Sequence, residues 1–140
     1  MRACPLRYKS CHMNKKLYPR FVDAIKKFNG GDFYACHDLL EDIWFEITGT
    51  ERNFYQGLIH AAVGFHHIID KKNPRGALLQ LNKAIAKLKP FEPVHETINL
   101  RLLLREVEAC IKEIEKIHTG KKKNFNRKLI PRITLKKPIP

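Results

Sequence analysis

The apolar positions of the chain recur at spacings of three and four residues, the pattern of amphipathic helices, and no alternating stretch is long enough to predict a sheet. Capping and turn signals divide this pattern into five predicted helices. Their expected spans are about 18–28, 33–48, 51–70, 74–88 and 94–118. The chain is therefore predicted to be all-α, a single compact bundle or array of five antiparallel helices joined by short loops.

Each predicted boundary has a residue type that explains it. Pro19 lies in the first turn of the first helix, where its missing N–H costs little, and the NGG sequence that follows ends this helix. Asp32, Thr50 and Asn73 are the expected N-caps of the next three helices. The two prolines of the KPFEP sequence end the fourth helix, because neither proline nor the residue before it continues a helix well.

The fifth predicted helix carries a long apolar stripe, which we expect either to pack on the other helices or to face a second subunit in a homodimer. The stripe consists of Leu100, Leu103, Leu104, Val107, Cys110, Ile111, Ile114 and Ile117. Gly120 ends this helix. The basic tail that follows contains apolar residues through which it could dock on the bundle, namely Leu129, Ile130, Ile133 and Leu135.

Polar residues interrupt the second predicted helix at two positions that matter for function. His37 and Glu41, one turn apart, fall at the edge of the apolar arc, and Trp44 lies close to them on the same side. Asp38 and Asp42 fall on the opposite side, so we interpret them as part of a solvated acidic face.

The third predicted helix is apolar almost all round, which predicts that it is the central and most buried helix. Its polar residues Gln56, His60 and His67 lie within roughly 40° of one another on a helical wheel, whereas His66 points elsewhere. Two glycines, at positions 57 and 64, border this stripe. Glycine costs a helix about 1 kcal/mol relative to alanine, so Gly57 and Gly64 indicate a close helix contact or space for a ligand.

Buried histidine and glutamine side chains need partners, because an unpaired polar group costs a few kcal/mol. In one interpretation Glu41 accepts a hydrogen bond from a histidine, and the network is structural. In another, His37, Glu41 and His67, either with His60 as a further ligand or without it, hold a divalent metal (Zn, Fe or Mn) that activates water for hydrolysis. Gln56 would then orient a substrate, and Arg75 is the only obvious cation near the turn between the third and fourth helices. A small-molecule pocket is a third interpretation, and no residue is identified as catalytic.

At these positions the chain resembles domain-of-unknown-function family 309, small all-helical proteins that are often labelled predicted metal-dependent hydrolases. The resemblance covers roughly residues 28–88 and lies in FNGGDFYACHDLLEDIW, FYQGLIHAAVGFHHI and NPRGALLQLNKAIAKL. Asp38 stands where the family usually has Glu, and His60 where it more often has Gln. The resemblance thus implies an all-helical fold and a ligand set without His60. The matching residues are His37, Glu41, Trp44, Gln56, Gly57, His67, Gly76 and Ala77.

The formal net charge of +13 resides at the two ends of the chain. Residues 120–140 contain eight basic residues and no acidic one. We expect a basic N-terminal arm over 1–17, a helical domain over 18–119 and a basic C-terminal tail over 120–140. The basic segments support a competing function, a non-catalytic binding module that contacts RNA or an acidic partner, although no RNA-recognition signature accompanies them.

The four cysteines, Cys4, Cys11, Cys36 and Cys110, form no Cys-x-x-Cys pair and are predicted to be free thiols in a reducing compartment. No apolar run approaches the roughly 18 residues that a transmembrane helix needs. A cytoplasmic location is expected, with the plastid stroma as the alternative because the leader is basic and free of acids. Met13 is an alternative start. Phosphate-binding loops, dinucleotide fingerprints and Ser or Cys triads are missing from the sequence, which argues against nucleotide-dependent enzymes.

Overall fold

The computed structural model describes residues 16–136. Within this range the chain forms five α-helices and one short antiparallel hairpin, so the predicted all-α fold is confirmed. The helices are α1 (Tyr18–Asn29), α2 (Phe33–Glu46), α3 (Glu51–Ile69), α4 (Pro74–Leu88) and α5 (Leu100–His118), and the strands are β1 (Val94–His95) and β2 (Ile98–Asn99). Single 3-10 turns occur at Lys89–Phe91 and Arg127–Leu129.

Two of the three predicted N-caps make the expected hydrogen bond. Oδ1 of Asp32 accepts from the N–H of Ala35 at 3.1 Å, and Oδ1 of Asn73 accepts from the N–H of Gly76 at 3.0 Å. Thr50 is the N-cap residue of α3, as predicted, but its side chain makes no capping hydrogen bond within the described residues. Its backbone is already helical, whereas a capping residue normally leaves the helical region.

The fifth helix begins at Leu100, later than predicted, because residues 94–99 form the hairpin. Glu96 and Thr97 make the two-residue turn and both have positive φ, at 46° and 65°. Positive φ at both central residues is the geometry of the turns that best match the twist of a hairpin. The side chain of Asn99 then caps the helix by accepting a hydrogen bond from the backbone.

The central position predicted for α3 is confirmed by its buried residues and by its contacts with helices on two sides. The rings of Phe28, Phe33 and Phe65 meet at centroid distances of 5.2, 5.8 and 5.6 Å, which joins α1, α2 and α3 in one aromatic cluster. Such rings contribute large buried areas and favour tilted or edge-to-face contacts. The core therefore fixes how α2 and α3 sit against each other.

The two glycines of α3 allow α4 to approach closely. A Cβ atom at Gly57 would lie 2.6 Å from Cγ of Leu88, and one at Gly64 would lie 2.6 Å from Cδ2 of Leu81. Both leucines are fully buried, so they occupy the space that side chains at these glycines would need. The sequence left open whether Gly57 and Gly64 indicate a close helix contact or space for a ligand. In the structure they make the close helix contact.

The tail docks on the helices through the apolar residues that the sequence indicated. Ile133 is buried. The side-chain amide of Asn29 makes two hydrogen bonds to the backbone of Ile133: Nδ2 donates to the Ile133 carbonyl, and Oδ1 accepts from the Ile133 N–H, both at 2.8 Å. Sγ of Cys110 donates to the carbonyl of Leu129 at 3.2 Å. The apolar stripe of α5 is thus largely buried within the chain.

The predicted free thiols are confirmed for Cys36 and Cys110, which are buried, and burial raises the pKa of each to about 12. Cys4, Cys11, Met13 and most of the predicted N-terminal arm lie outside the described residues. Among the helices between residues 16 and 136, none combines the length and the apolar character that crossing a membrane requires.

Candidate functional site

A histidine and two carboxylates meet on the outer edge of α2. Nε2 of His37 lies 3.1 Å from Oε2 of Glu41, and Nδ1 of the same ring lies 3.3 Å from Oδ1 of Asp38. One ligand atom from each of the three residues falls within 4.8 Å of the other two. The side chains are 22%, 55% and 45% exposed for His37, Asp38 and Glu41, so solvent reaches the group. We call these three residues the α2 cluster.

The helix itself explains how the cluster forms. Residues four apart lie on the same face of an α-helix, which brings His37 and Glu41 together without any long-range contact. Asp38 is exposed, as the sequence predicted, yet its carboxylate reaches Nδ1 of the ring from the neighbouring position. Asp42 is also exposed and does not join the cluster.

His67, the third ligand that the sequence indicated, lies against the first turn of α4. A Cβ atom at Gly76 would lie 3.1 Å from Nδ1 of His67, so glycine leaves room for the ring. This nitrogen is buried and makes no hydrogen bond with any described residue. Burial lowers the pKa of His67, and the nearby His66 and Lys71 lower it further. Within residues 16–136, His67 belongs to neither of the two groups of side chains that could hold a metal ion.

His66, which points away from the polar stripe of α3, contacts the ring of Tyr34, and Tyr34 also contacts His37 of the α2 cluster. The ring centroid of His66 lies 5.6 Å from that of Tyr34, and the Tyr34 ring lies 5.8 Å from that of His37. Nδ1 of His66 is held 2.8 Å from Oδ2 of Asp70, one turn later. The sequence signal that could have identified His66 is this four-residue spacing to an acid, the same spacing as in His37 and Glu41.

Trp44 connects the end of α2 to the beginning of α3. The guanidinium carbon of Arg52 lies 3.6 Å from the indole centroid, a cation–π contact, and Nε of Arg52 donates to the carbonyl of Trp44 at 3.4 Å. Nε1 of Trp44 is buried and finds no hydrogen-bond partner in the described part of the chain. Arg52 was not singled out by the sequence, because its partner is a ring on another helix.

The remaining stripe residues of α3 face other neighbours. Nδ1 of His60 lies 2.7 Å from Oε1 of Gln80, which links α3 to α4. Because an amide oxygen only accepts, Nδ1 carries the proton of the neutral ring. Burial lowers the pKa of His60, against the opposing effect of this hydrogen bond.

Gln56 is half-buried and Arg75 is exposed, and neither makes a side-chain hydrogen bond or ion pair with another residue in the range 16–136.

A second group of side chains that could bind a metal was not identified from the sequence. Nε2 of His95 is in hydrogen-bond contact with Oε1 of Glu51, and Glu96 completes the group, which we call the hairpin cluster. His95 is 5% exposed and Glu96 is 2% exposed. The His95 ring packs between Phe54 and Phe91, with centroid distances of 4.5 and 4.7 Å. A predicted helix from Val94 left His95 and Glu96 in an ordinary first turn, and only the hairpin brings them inward.

Fold and site together define a small all-α protein with a histidine and two carboxylates on the edge of one helix. Residues 21–79 match the model of a family described as Domain of unknown function (DUF309), which confirms the resemblance over a segment from α1 into α4. The α2 cluster lies inside the matched segment, whereas His95 and Glu96 lie outside it.

Two proteins of similar sequence have names that state no function. The chain is 30% identical over 93 residues to an uncharacterized protein of Aquifex aeolicus (strain VF5), an alignment that covers 66% of this chain and 26% of that protein. It is 26% identical over 110 residues to the uncharacterized protein YpuF of Bacillus subtilis (strain 168), which covers 75% of this chain and 63% of YpuF. The chain thus spans about a quarter of the first relative and somewhat less than two thirds of the second.

Proposed function

We propose that this protein is a divalent-metal-dependent hydrolase whose metal is held by the α2 cluster. The observation that carries the proposal is the convergence of ligand atoms from His37, Asp38 and Glu41 within 4.8 Å of one another. One imidazole and two carboxylates form a donor set that suits Zn, Fe or Mn. The sequence-derived set contained His67 in place of Asp38, and the contacts of the cluster favour Asp38.

The charge around the cluster also supports cation binding. α2 carries four acidic residues and no Lys or Arg, although the chain as a whole has a formal net charge of +13. Of these acids, Glu46 is neutralised by an ion pair with Arg20 at 2.6 Å. The negative charge that remains is concentrated at Asp38, Glu41 and Asp42, and nearby negative charge raises the local concentration of cations.

The exposure of the cluster supports hydrolysis rather than a purely structural metal. Structural sites are closed by four protein ligands, whereas catalytic sites keep a position open for water. Asp38 and Glu41 are about half exposed, so water and a substrate can reach the space beside His37. A divalent metal bound there would supply Lewis acidity and activate water for attack. Tyr34 and His66 are the aromatic neighbours that a substrate would meet beside His37.

The test is metal analysis of full-length protein purified without a polyhistidine tag, followed by calorimetric titration with Zn²⁺ and Mn²⁺. We expect one metal per chain, and we expect His37→Gln, Asp38→Asn and Glu41→Gln each to weaken binding by about tenfold or more. Asp42→Asn is the matched control, since it removes an acid from the same helix outside the cluster. Metal-dependent turnover of p-nitrophenyl acetate or p-nitrophenyl phosphate, lost in His37→Gln, would support the reaction.

Adding His67→Gln to this series decides between the two ligand sets. If His67→Gln abolishes binding and Asp38→Asn does not, the sequence-derived set of His37, Glu41 and His67 is correct. Folded protein that takes up neither metal would contradict the proposal and would favour the non-catalytic binding module.

A further inference from the structure

A groove of about 240 Å³ opens where the docked tail crosses the turn between α1 and α2. Its walls come from four separate parts of the chain: the end of α1 with the turn Gly30–Gly31, the first residue of α2, the end of α3, and tail residues 127–132. We call it the tail groove. None of the α2 cluster residues lines it, so it is a separate site.

The floor of the tail groove is apolar. Phe28 and Phe33 are buried and in edge-to-face contact, and the other apolar side chains of the lining are Ile69, Ile130 and Pro131. An apolar surface of this kind favours the hydrophobic part of a ligand over water.

The rim of the tail groove is positively charged. Arg127 and Arg132 both line the groove and are exposed, and their side chains form no ion pair or hydrogen bond with residues 16–136. No acidic residue lines the groove. The nearest acid in sequence, Asp32, uses its carboxylate to cap α2. Two guanidinium groups are therefore available for an anion.

The groove is preformed because the tail is fixed on both sides of it. Asn29 holds the backbone of Ile133 through two hydrogen bonds of 2.8 Å, and Cys110 holds the carbonyl of Leu129. Pro131, between these two attachments, is buried. A preformed site loses little conformational entropy when it binds a ligand, which favours affinity.

We propose that the tail groove binds a small molecule in which a carboxylate or phosphate is joined to an apolar body. Guanidinium groups pair with both of these oxyanions in a bidentate manner, which accounts for the charged part. The floor accounts for the apolar part. A volume of about 240 Å³ is below the roughly 300–1,000 Å³ typical of pockets for drug-sized ligands, so the ligand is small.

The test uses full-length protein and two probes, phenyl phosphate and benzoate, followed by ¹⁵N–¹H NMR titration. Two compounds serve as controls. Inorganic phosphate has the oxyanion without the apolar body, and benzyl alcohol has the apolar body without the oxyanion. We expect at least one of the two probes to bind saturably, about tenfold more tightly than either control, and to shift the amide signals of Gly30 and Gly31. The probe that binds more tightly identifies which oxyanion the site prefers.

The matched variants carry the same change in charge. The double variant Arg127→Gln/Arg132→Gln is expected to weaken binding of the preferred probe by about tenfold or more, whereas Lys128→Gln/Lys136→Gln changes it by less than about twofold. All four positions are exposed, so both variants should fold, and circular dichroism verifies this. Absence of saturable binding, or equal losses in both variants, would overturn the proposal. Binding of an RNA oligonucleotide that displaces the probe and weakens equally in both variants would also overturn it, in favour of a diffuse polyanion surface.

Discussion

Replacement of Gly64 by valine is expected to destabilise the protein by about 3 kcal/mol or more. A Cβ atom at this position would lie 2.6 Å from Cδ2 of Leu81 and 3.3 Å from its backbone nitrogen. Leu81 is fully buried, so its side chain cannot move out into solvent, and because its backbone is also close we expect α3 and α4 to separate. Valine has a higher helix propensity than glycine, but this difference offsets only a few tenths of a kcal/mol of the loss. Urea unfolding followed by circular dichroism measures the change.

Ala109→Val serves as the control for Gly64→Val, since position 109 is exposed on α5. Its expected cost is about 0.5 kcal/mol, which is the difference in helix propensity alone. If Gly64→Val cost no more than this control, the close contact between α3 and α4 would be contradicted.

Replacement of His95 by alanine is expected to cost about 3 kcal/mol. The change leaves a cavity between the rings of Phe54 and Phe91 and removes the hydrogen-bond partner of Glu51. The side chain of Glu51 is 28% exposed, so water compensates for part of the second loss. Chemical denaturation gives the free energy of unfolding, and a double-mutant cycle with Glu51→Gln isolates the contribution of the pair.

The control for His95→Ala is His118→Ala, because His118 is exposed near the end of α5 and its replacement should change stability by less than about 0.5 kcal/mol. A coupling energy near zero in the cycle would mean that His95 and Glu51 do not stabilise each other. The hairpin cluster would then be a packing feature only.

The helices could be predicted from the sequence because their signals are local. Asp32 and Asn73 cap their helices through a hydrogen bond three residues away, and such short-range geometry leaves a readable residue pattern. The hairpin at residues 94–99 could not be predicted in this way. Its strands are two residues long, and the turn uses Glu96 and Thr97 where asparagine and glycine are the usual signal.

The candidate site could be predicted only as far as one helix determines it. His37 and Glu41 are paired by their spacing on α2, so the sequence was sufficient for them. For His67 we had to choose which neighbouring helix its side chain faces. A helical wheel gives the direction of a side chain but does not say which helix lies in that direction. The chosen neighbour was α2, whereas Nδ1 of His67 lies beside Gly76 in the first turn of α4.

The hydrogen bonds between Asn29 and Ile133 join positions 104 residues apart, and this separation has a consequence for the order of folding. Closing so long a loop costs conformational entropy, and two hydrogen bonds do not offset this cost until the intervening helices have formed. We therefore expect the tail to dock last, and pulse-labelling hydrogen exchange should show protection at Ile133 after protection in α3. Earlier protection at Ile133 would contradict this order. A molecule that occupies the tail groove would then bind only the fully folded chain and would stabilise it by mass action.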